Sequence, residues 1–159
     1  MPTIRGSNRV DVSKATGFVH GQERFFQMDL MRRAAAGELA ALMGPVAVGL
    51  AQQRRIHRFR TLAREVIANT STLERELLQA YAEGVNAGLE ALSVVPFEYV
   101  LLQTNPEPWQ PEDSVLTNFA MFFQLTDDDA SRESNYAEIR DGLSEGIRDF
   151  VFAQGNEWD

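Results

Sequence analysis

The stretch from residue 10 to residue 43 contains no proline, and its apolar side chains recur at helical intervals rather than in strict alternation. Apolar residues three and four positions apart place one hydrophobic face on a helix. We therefore predict two helices or one bent helix here. Gly17, Gly21 and Gly37 weaken its continuity, because each glycine in a helix costs about 1 kcal/mol relative to alanine. The pair Gly44-Pro45 ends it.

Helical patterns also fill most of the rest of the chain. We predict helices over residues 46–57 and 61–68, and another that runs to about Leu92. Ser71 lies three residues before Glu74, which is the spacing of a capping box, so Ser71 is the expected N-cap of that helix. A polar helix should reach about Leu143, and residues 147–152 fit either helix or strand. The predicted fold class is mainly α, with residues 1–159 as a single helical unit.

A proline-rich loop separates the early helices from an apolar one. Pro106, Pro108 and Pro111 exclude regular helix before residue 111 and predict a rigid, specific loop. Pro111 then suits the first turn of a helix, and Glu112 and Asp113 suit the positive end of its dipole. This helix, through residue 125, is apolar almost all round. We expect it to be buried on most sides, which requires more protein around it.

Charge and hydropathy restrict the partners of this chain. Its 15 Lys and Arg residues against 23 Asp and Glu residues give a net charge of −8, which repels phosphate backbones and anionic lipid. We therefore expect neither nucleic acid nor a membrane as a partner, and no apolar run is long enough to span a bilayer. The basic run at residues 54–60 is expected to form a solvated or subunit-pairing face.

The sequence offers few residues for catalysis. It has no cysteine and two histidines, His20 and His57. Neither histidine has a serine or a metal-ligand partner at a recognisable spacing, so both are expected to be structural. We predict no catalytic residue in this chain. The residues on their own point to a helical piece of a larger enzyme assembly.

An acidic cluster follows the apolar helix. Asp127, Asp128 and Asp129, with Glu133 one helical turn beyond, gather the oxygen ligands that calcium prefers. The spacing is not that of an EF-hand. The alternative is an acidic first turn of the next helix, stabilised by the helix dipole.

Three long segments, in matching order and spacing, carry a resemblance to a known family. The first covers residues 15–33, followed by 37–40 and Gly44, the second covers 81–87, and the third covers 96–99 leading to 107–113. They are framework motifs rather than catalytic ones. They include Gly21-Gln22-Glu23-Arg24-Phe25-Phe26-Gln27-Met28-Asp29, Tyr81-Ala82-Glu83-Gly84-Val85-Asn86-Ala87 and Glu107-Pro108-Trp109-Gln110-Pro111-Glu112-Asp113. In these segments the chain closely resembles the α-subunit region of the penicillin acylase family of N-terminal-nucleophile hydrolases.

The resemblance implies an amidohydrolase that works as an α/β heterodimer cut from a secreted precursor. The nucleophile would be a serine at the N-terminus of a separate β subunit, with its own α-amino group as base, and the paired subunits would form an αββα fold. It implies a periplasmic or secreted location, although no signal peptide is recognisable in this chain. Residues 1–6 match only the tail of the family's first strand, so that strand is expected to be truncated here.

The resemblance also assigns a substrate pocket. Phe122 and Thr126 fall on positions that line the acyl-group pocket of penicillin G acylases, with Met121, Phe123 and Leu125 beside them. Phe122 suits an apolar acyl group. Thr126 and Leu125 depart from the aromatic and arginine residues of those enzymes, so acyl-homoserine lactones and other N-acyl compounds are as plausible as penicillins. The alternative is that these side chains simply pack against the β subunit.

With a shift of one residue, the same register places Glu133 on a carboxylate that helps bind a structural calcium ion shared with the β subunit. Without the shift, Arg132 occupies that position and the site is lost. A rival to the whole interpretation is a non-catalytic helical interaction protein that docks a partner through the apolar helix at residues 115–125.

Overall fold

The computed structural model of the chain describes residues 3–126 and 131–152. Within these ranges the ordered elements are helices and no strand occurs, so the predicted mainly α fold is confirmed. A 3₁₀ turn at Gly44–Ala47 links α2 to α3. The α-helices are α1 (Arg9–Ala36), α2 (Ala40–Met43), α3 (Val48–Arg55), α4 (Phe59–Asn69), α5 (Thr72–Glu90), α6 (Phe97–Leu102), α7 (Pro111–Leu125), α8 (Ser131–Gly142) and α9 (Glu145–Val151).

The chain groups into two compact units, Met1–Phe122 and Phe123–Asp159. The first unit contains α1 to α6 and most of α7. The second contains the last residues of α7 together with α8 and α9. That residues 1–159 act as a single helical unit with a truncated first strand stays a prediction.

Helix α1 is a single bent helix, which is one of the two forms that the sequence predicts. The Asn8 side chain accepts a hydrogen bond from the backbone N–H of Asp11 at 2.9 Å and caps its start. Arg24 has non-helical backbone angles, and the helix bends there. Gly37 then ends the helix at φ 70°, in the left-handed region that glycine enters without a steric penalty.

Helix α5 begins at the predicted capping box. The Ser71 hydroxyl accepts a hydrogen bond from the backbone N–H of Glu74, and the Glu74 carboxylate accepts one from the backbone N–H of Ser71 at 3.2 Å. Two donors at the helix start, which have no partner within the helix, are thereby satisfied. The prediction for this helix is confirmed at its N-terminus.

Helices α1 and α5 lie side by side in the same direction and approach through four glycines. A Cβ atom on Gly17 or Gly21 would overlap the carbonyl oxygen of Tyr81 or Val85. A Cβ atom on Gly84 or Gly88 would likewise overlap backbone of α1. Gly17 and Gly21 therefore do not break the first helix. Together with Gly84 and Gly88 they allow the two backbones to touch.

Two hydrophobic clusters form around this pair of helices. The first lies between α1, α5 and α6 and includes the buried rings of Phe25, Tyr99 and Trp109. The second joins the end of α1 to α4 and α7 through small side chains, Ala35, Ala63 and Ala120 among them, with Leu116 fully buried. The second cluster determines which face of α7 points inward.

Within this chain, helix α7 is buried on one face. Its burial on most sides, with more protein around it, stays a prediction. Asp113, Leu116 and Ala120 are buried, whereas Met121 and Phe122 are exposed. The reason is that the second cluster supplies apolar neighbours to a single side of the helix. An apolar surface near the end of α7 is left open to solvent.

In the second unit, residues 147–152 fit either helix or strand by sequence. The structure shows a helix there, since α9 covers Glu145–Val151. The rings of Tyr136 and Phe152 meet edge to face, with their centroids 6.1 Å apart. Across the described residues of both units, no helix combines the length and apolarity needed to cross a membrane.

The glycine contacts between α1 and α5 predict a specific sensitivity. Gly84→Ala should lower the free energy of unfolding by about 3 kcal/mol, because the two backbones must separate to admit the new methyl group. Gly49→Ala, in α3, is the matched control, since a Cβ atom added there would enter open space with no neighbour within 4 Å. That control should gain about 0.5–1 kcal/mol from helix propensity. Urea unfolding followed by helical circular dichroism measures both, and equal effects would contradict the close packing.

Candidate functional site

The four residues that the sequence assigned to substrate binding are divided between the two units. Met121 and Phe122 lie in the first unit, and Phe122 leaves 56% of its surface open. Neither side chain lies on the buried face of α7 that Leu116 and Ala120 form. Leu125 and Thr126 fall in the second unit and are also exposed. Their roles in substrate binding stay predictions.

The start of α7 is fixed by a buried carboxylate. Asp113 is fully buried in the first turn of the helix. One of its oxygens accepts a hydrogen bond from Arg60 at 2.6 Å, and the other accepts from Arg32 at 2.6 Å and from the backbone N–H of Gln110 at 2.7 Å. Helices α1, α4 and α7 are thus joined through one side chain, which fixes the axis along which Met121 and Phe122 are presented.

A second buried carboxylate lies on α1 itself. Asp29 accepts hydrogen bonds from Arg32 at 2.7 Å, from Arg33 at 2.8 Å and from the Tyr99 hydroxyl at 2.7 Å. Burial and then this hydrogen bond to Asp29 raise the pKa of Tyr99 above its ordinary value. The tyrosine therefore stays protonated and keeps α6 attached to α1.

Arg32 connects the two carboxylates. Burial opposes its charged form, but the nearby carboxylates of Asp113 and Asp29 outweigh that cost and raise the pKa of Arg32. Its guanidinium also lies 5.1 Å from the centre of the Trp109 ring, which adds a cation–π contact. A buried arginine with two carboxylate partners is stable because each charge is compensated by neighbouring groups. We call Asp29, Arg32, Arg33, Arg60 and Asp113 the ion network.

The proline-rich loop is held by the same arginine. Arg32 donates hydrogen bonds to the carbonyl oxygens of Glu107 at 2.8 Å and Pro108 at 2.9 Å. From the other side, the Asn86 side chain accepts from the backbone N–H of Trp109 at 2.7 Å and donates to its carbonyl oxygen at 3.0 Å. The predicted absence of regular helix from this loop is confirmed, and these hydrogen bonds hold its backbone. The rigidity of the loop stays a prediction.

Sequence reasoning missed the ion network, although one signal was available. Asp29, Arg32 and Arg33 stand three and four residues apart in an otherwise apolar part of α1, a spacing that puts them within reach of one another. Asp113 was explained only as an acid at a helix start. Nothing local announces its contacts with Arg32 and Arg60, which come from distant parts of the chain.

Each histidine contacts an aromatic side chain of the first unit. That both histidines are structural stays a prediction. His20 Nδ1 lies 2.9 Å from the Tyr81 hydroxyl, and burial, together with the charge of Arg24, lowers the pKa of His20. His57 stacks on the ring of Phe59. Neither contact contains a nucleophile.

The predicted metal ligand Glu133 is exposed in the first turn of α8. Asp127, Asp128 and Asp129 lie outside the described residues. Among the residues that the structure does describe, no group of three or more histidine or acidic side chains is arranged to hold a metal ion. Calcium binding through Glu133 stays a prediction.

Comparison with known proteins decides the family. The family model described as penicillin amidase matches residues 1–158. The chain belongs to the penicillin amidase family. The resemblance noted from the sequence motifs is therefore confirmed, and it extends over almost the whole chain.

Individual relatives agree with the family model. The chain is 37% identical over 115 residues to penicillin acylase 2 proenzyme of Pseudomonas sp. (strain SE83), covering 72% of this chain and 15% of that protein. It is 33% identical over 136 residues to the acyl-homoserine lactone acylase QuiP of Pseudomonas aeruginosa, covering 82% of this chain and 16% of that protein. The chain of this penicillin amidase family member thus spans less than a fifth of the length of these two relatives.

A solved structure has the same fold. The chain superposes on a chain of thermostable penicillin G acylase from Alcaligenes faecalis with a TM-score of 0.76 and 25% identity. The match covers 99% of this chain and 89% of that chain. The matched chain of that acylase is thus close in extent to this one, whereas the curated relatives are several times longer.

The ion network predicts where charge removal is costly. Asp113→Asn should lower the free energy of unfolding by about 3–5 kcal/mol, because it leaves the buried Arg32 and the partly buried Arg60 with one compensating charge fewer. Asp141→Asn is the matched control, since Asp141 pairs at 3.1 Å with Arg140 and both side chains are more than half exposed. Its effect should stay below about 1 kcal/mol. Thermal unfolding of both variants at neutral pH makes the comparison, and equal losses would show that the burial of Asp113 is unimportant.

Proposed function

We propose that this chain is the α-subunit portion of an acylase that hydrolyses the linear amide bonds of N-acyl compounds such as penicillins or acyl-homoserine lactones. Family membership supports the reaction class, since both of the relatives compared are named as acylases. The observation that carries the proposal to this chain is the apolar surface at Met121 and Phe122, which the rest of the first unit leaves open. An acylase needs such a surface to contact an acyl group.

In this proposal the reacting atoms belong to another chain. A serine at the N-terminus of a β subunit would attack the amide carbonyl, and its own α-amino group would accept the hydroxyl proton. Return of that proton to the amide nitrogen would break the C–N bond, release the amine and leave an acyl-enzyme. An α-amino group has a pKa of about 8, so it can act as a base near neutral pH without a histidine. The acyl-enzyme would then be hydrolysed by water. The two histidines described above are consistent with this division, because each contacts an aromatic side chain.

The division into two chains has its own support. One relative is named a proenzyme, and the matched chain of the solved penicillin G acylase is nearly covered by this one. We therefore propose a heterodimer produced from a zymogen, in which the αββα fold is completed by the β subunit. A periplasmic or secreted location belongs to the same proposal.

We propose that this chain contributes one wall of the acyl pocket. Met121 and Phe122 would contact the acyl group directly, with Leu125 and Thr126 as the further residues that the family resemblance assigns to it. Their side chains are apolar or small, which favours an aliphatic or aromatic acyl group over a charged one. The ion network would hold this wall at a fixed angle, because it anchors the start of α7.

Structural calcium is a further part of the proposal. Glu133 would supply one carboxylate, with most of the remaining ligands on the β subunit, since calcium takes six to eight oxygens. The exposed position of Glu133 in the first turn of α8 leaves its carboxylate accessible to such an ion. Calcium titration of the assembled enzyme, with Glu133→Gln as the comparison, tests this ligand.

Expression of the whole precursor tests the function. We expect a co-purifying chain that begins with serine, and amide hydrolysis that depends on both chains. Residues 1–159 alone should release no product from N-acyl substrates. Hydrolysis by the isolated chain would show another mechanism. A stable monomer of this chain, with no second chain in the cell, would support the non-catalytic interaction protein.

Substitution at the proposed pocket wall tests the role of this chain. In the assembled enzyme, Phe122→Ala should change kcat/KM for phenylacetyl relative to long-chain acyl substrates by about 10–200-fold, the range expected when the fit of an apolar pocket changes. Gln124→Ala, also exposed on α7, is the control and should leave the ratio unchanged. If both variants keep the same substrate ratio as the unmodified enzyme, Phe122 does not line the pocket.

A further inference from the structure

A second apolar surface lies on the first unit, around helix α6. Several large hydrophobic side chains are exposed there. Between 63% and 74% of the surface of Phe97, Val100 and Leu101 is exposed to solvent. We call this set the α6 face, and it consists of Val94, Val95, Phe97, Val100 and Leu101. Soluble proteins rarely leave several large apolar side chains adjacent on an open surface unless something binds there.

The helix that presents this face is firmly attached from behind. Tyr99 is fully buried, its hydroxyl donates to Asp29 at 2.7 Å, and its ring meets Phe26 edge to face at 5.3 Å between centroids. Gln103 ends the helix in the left-handed conformation, and its backbone N–H bonds back to Val100. The exposed side chains are thus held on a rigid support, which reduces the entropy lost when a partner binds.

The chemistry of the α6 face points to an apolar partner. Between Ala91 and Pro106 the only charged residue is Glu98, in a chain of which 24% of residues are charged. Scattered apolar residues on a surface need no explanation, but a segment this depleted in charge resembles the centre of a protein interface. A charged ligand or a solvated role does not fit it.

A second copy of this chain is a poor occupant for the α6 face. Each copy carries a net charge of −8, so two copies repel one another at low ionic strength. A symmetric pairing would also bring the two copies of Glu98 towards each other, because a two-fold interface uses the same patch from both partners. The occupant should come from a different chain.

The comparisons indicate how much of the enzyme is available to fill that role. This chain matches only 15% and 16% of the length of the two relatives described above, yet it covers 89% of a separate chain in a solved acylase. Most of an acylase of this family thus lies outside a chain of this kind. That remainder therefore offers the largest surface that could bind the α6 face.

We propose that the α6 face is a docking surface for the larger remaining part of the acylase, a second contact region apart from the α7 surface at Met121 and Phe122. This inference rests on the proposed two-chain enzyme. The partner would bind the outer side of α6. The inner side of this helix is attached to the ion network through the hydrogen bond from Tyr99 to Asp29.

Cysteine labelling of the assembled enzyme tests the proposal, because this chain has no cysteine of its own. Leu101→Cys should react with a maleimide about 100-fold more slowly in the assembled enzyme than after denaturation, since labelling must wait for local opening. Val46→Cys is the matched control, because Val46 is 87% exposed and lies outside the α6 face. Peptide mapping assigns the label to position 101 or 46. Labelling of Leu101→Cys as fast as Val46→Cys in the assembled enzyme overturns the proposal.

Dilution separates the two kinds of partner. If Leu101→Cys becomes reactive on dilution while the two chains stay together, the face is covered by a second copy of the enzyme and the proposal is wrong. Protection that persists at all concentrations at which the two chains co-elute supports it. Leu101→Glu should then weaken association of the chains at least about tenfold, because an unpaired carboxylate would be buried, whereas Val46→Glu should not.

The labelling result does not depend on catalysis. A two-chain assembly in which Leu101→Cys is protected but no amide is hydrolysed would support docking at α6 and count against the proposed activity. An active enzyme in which Leu101→Cys reacts freely would leave the activity standing and overturn the docking surface. The two proposals can therefore fail separately.

Discussion

Arg32 lies between two buried carboxylates, and most of the first unit depends on that arrangement. Through Asp29 it is linked to Tyr99 and helix α6, and through Asp113 it is linked to the start of α7. Its remaining donors hold the carbonyl oxygens of the proline-rich loop. Separating any one of these elements would leave a buried charge without its partner, which costs far more free energy than losing a surface contact.

This arrangement explains how a small chain can present apolar surfaces without collapsing around them. The α7 surface and the α6 face both belong to helices that are anchored on their inner sides by hydrogen bonds to charged groups. Directional contacts of this kind fix an angle, which apolar packing alone does less strictly. The outer sides of the two helices are then free to be apolar, since their placement does not rely on burying those side chains.

Much of the fold could be predicted from local patterns. The capping box at Ser71, the helical spacing before residue 43 and the prolines of residues 106–111 each act over a few residues, so the sequence displays them directly. The family could also be predicted, because its motifs are long and ordered. The face of α7 that the first unit buries could not, since an almost uniformly apolar pattern does not distinguish one face of the helix from another. The link from Asp113 to Arg32 and Arg60 joins residues 81 and 53 positions apart, and no local spacing encodes it.

The parallel contact of α1 with α5 has a consequence for how the chain folds. Two adjacent helices that run in the same direction cannot be joined by a tight turn, so residues 37–71 form a long crossover between them. The entropy of closing that crossover must be overcome before the glycine contacts can form. During synthesis, α1 leaves the ribosome well before α5 exists, and Gly17 and Gly21 make α1 a weaker helix by itself. The first helix is therefore expected to stay largely unformed until α5 has been synthesised, and to acquire its shape from that later helix.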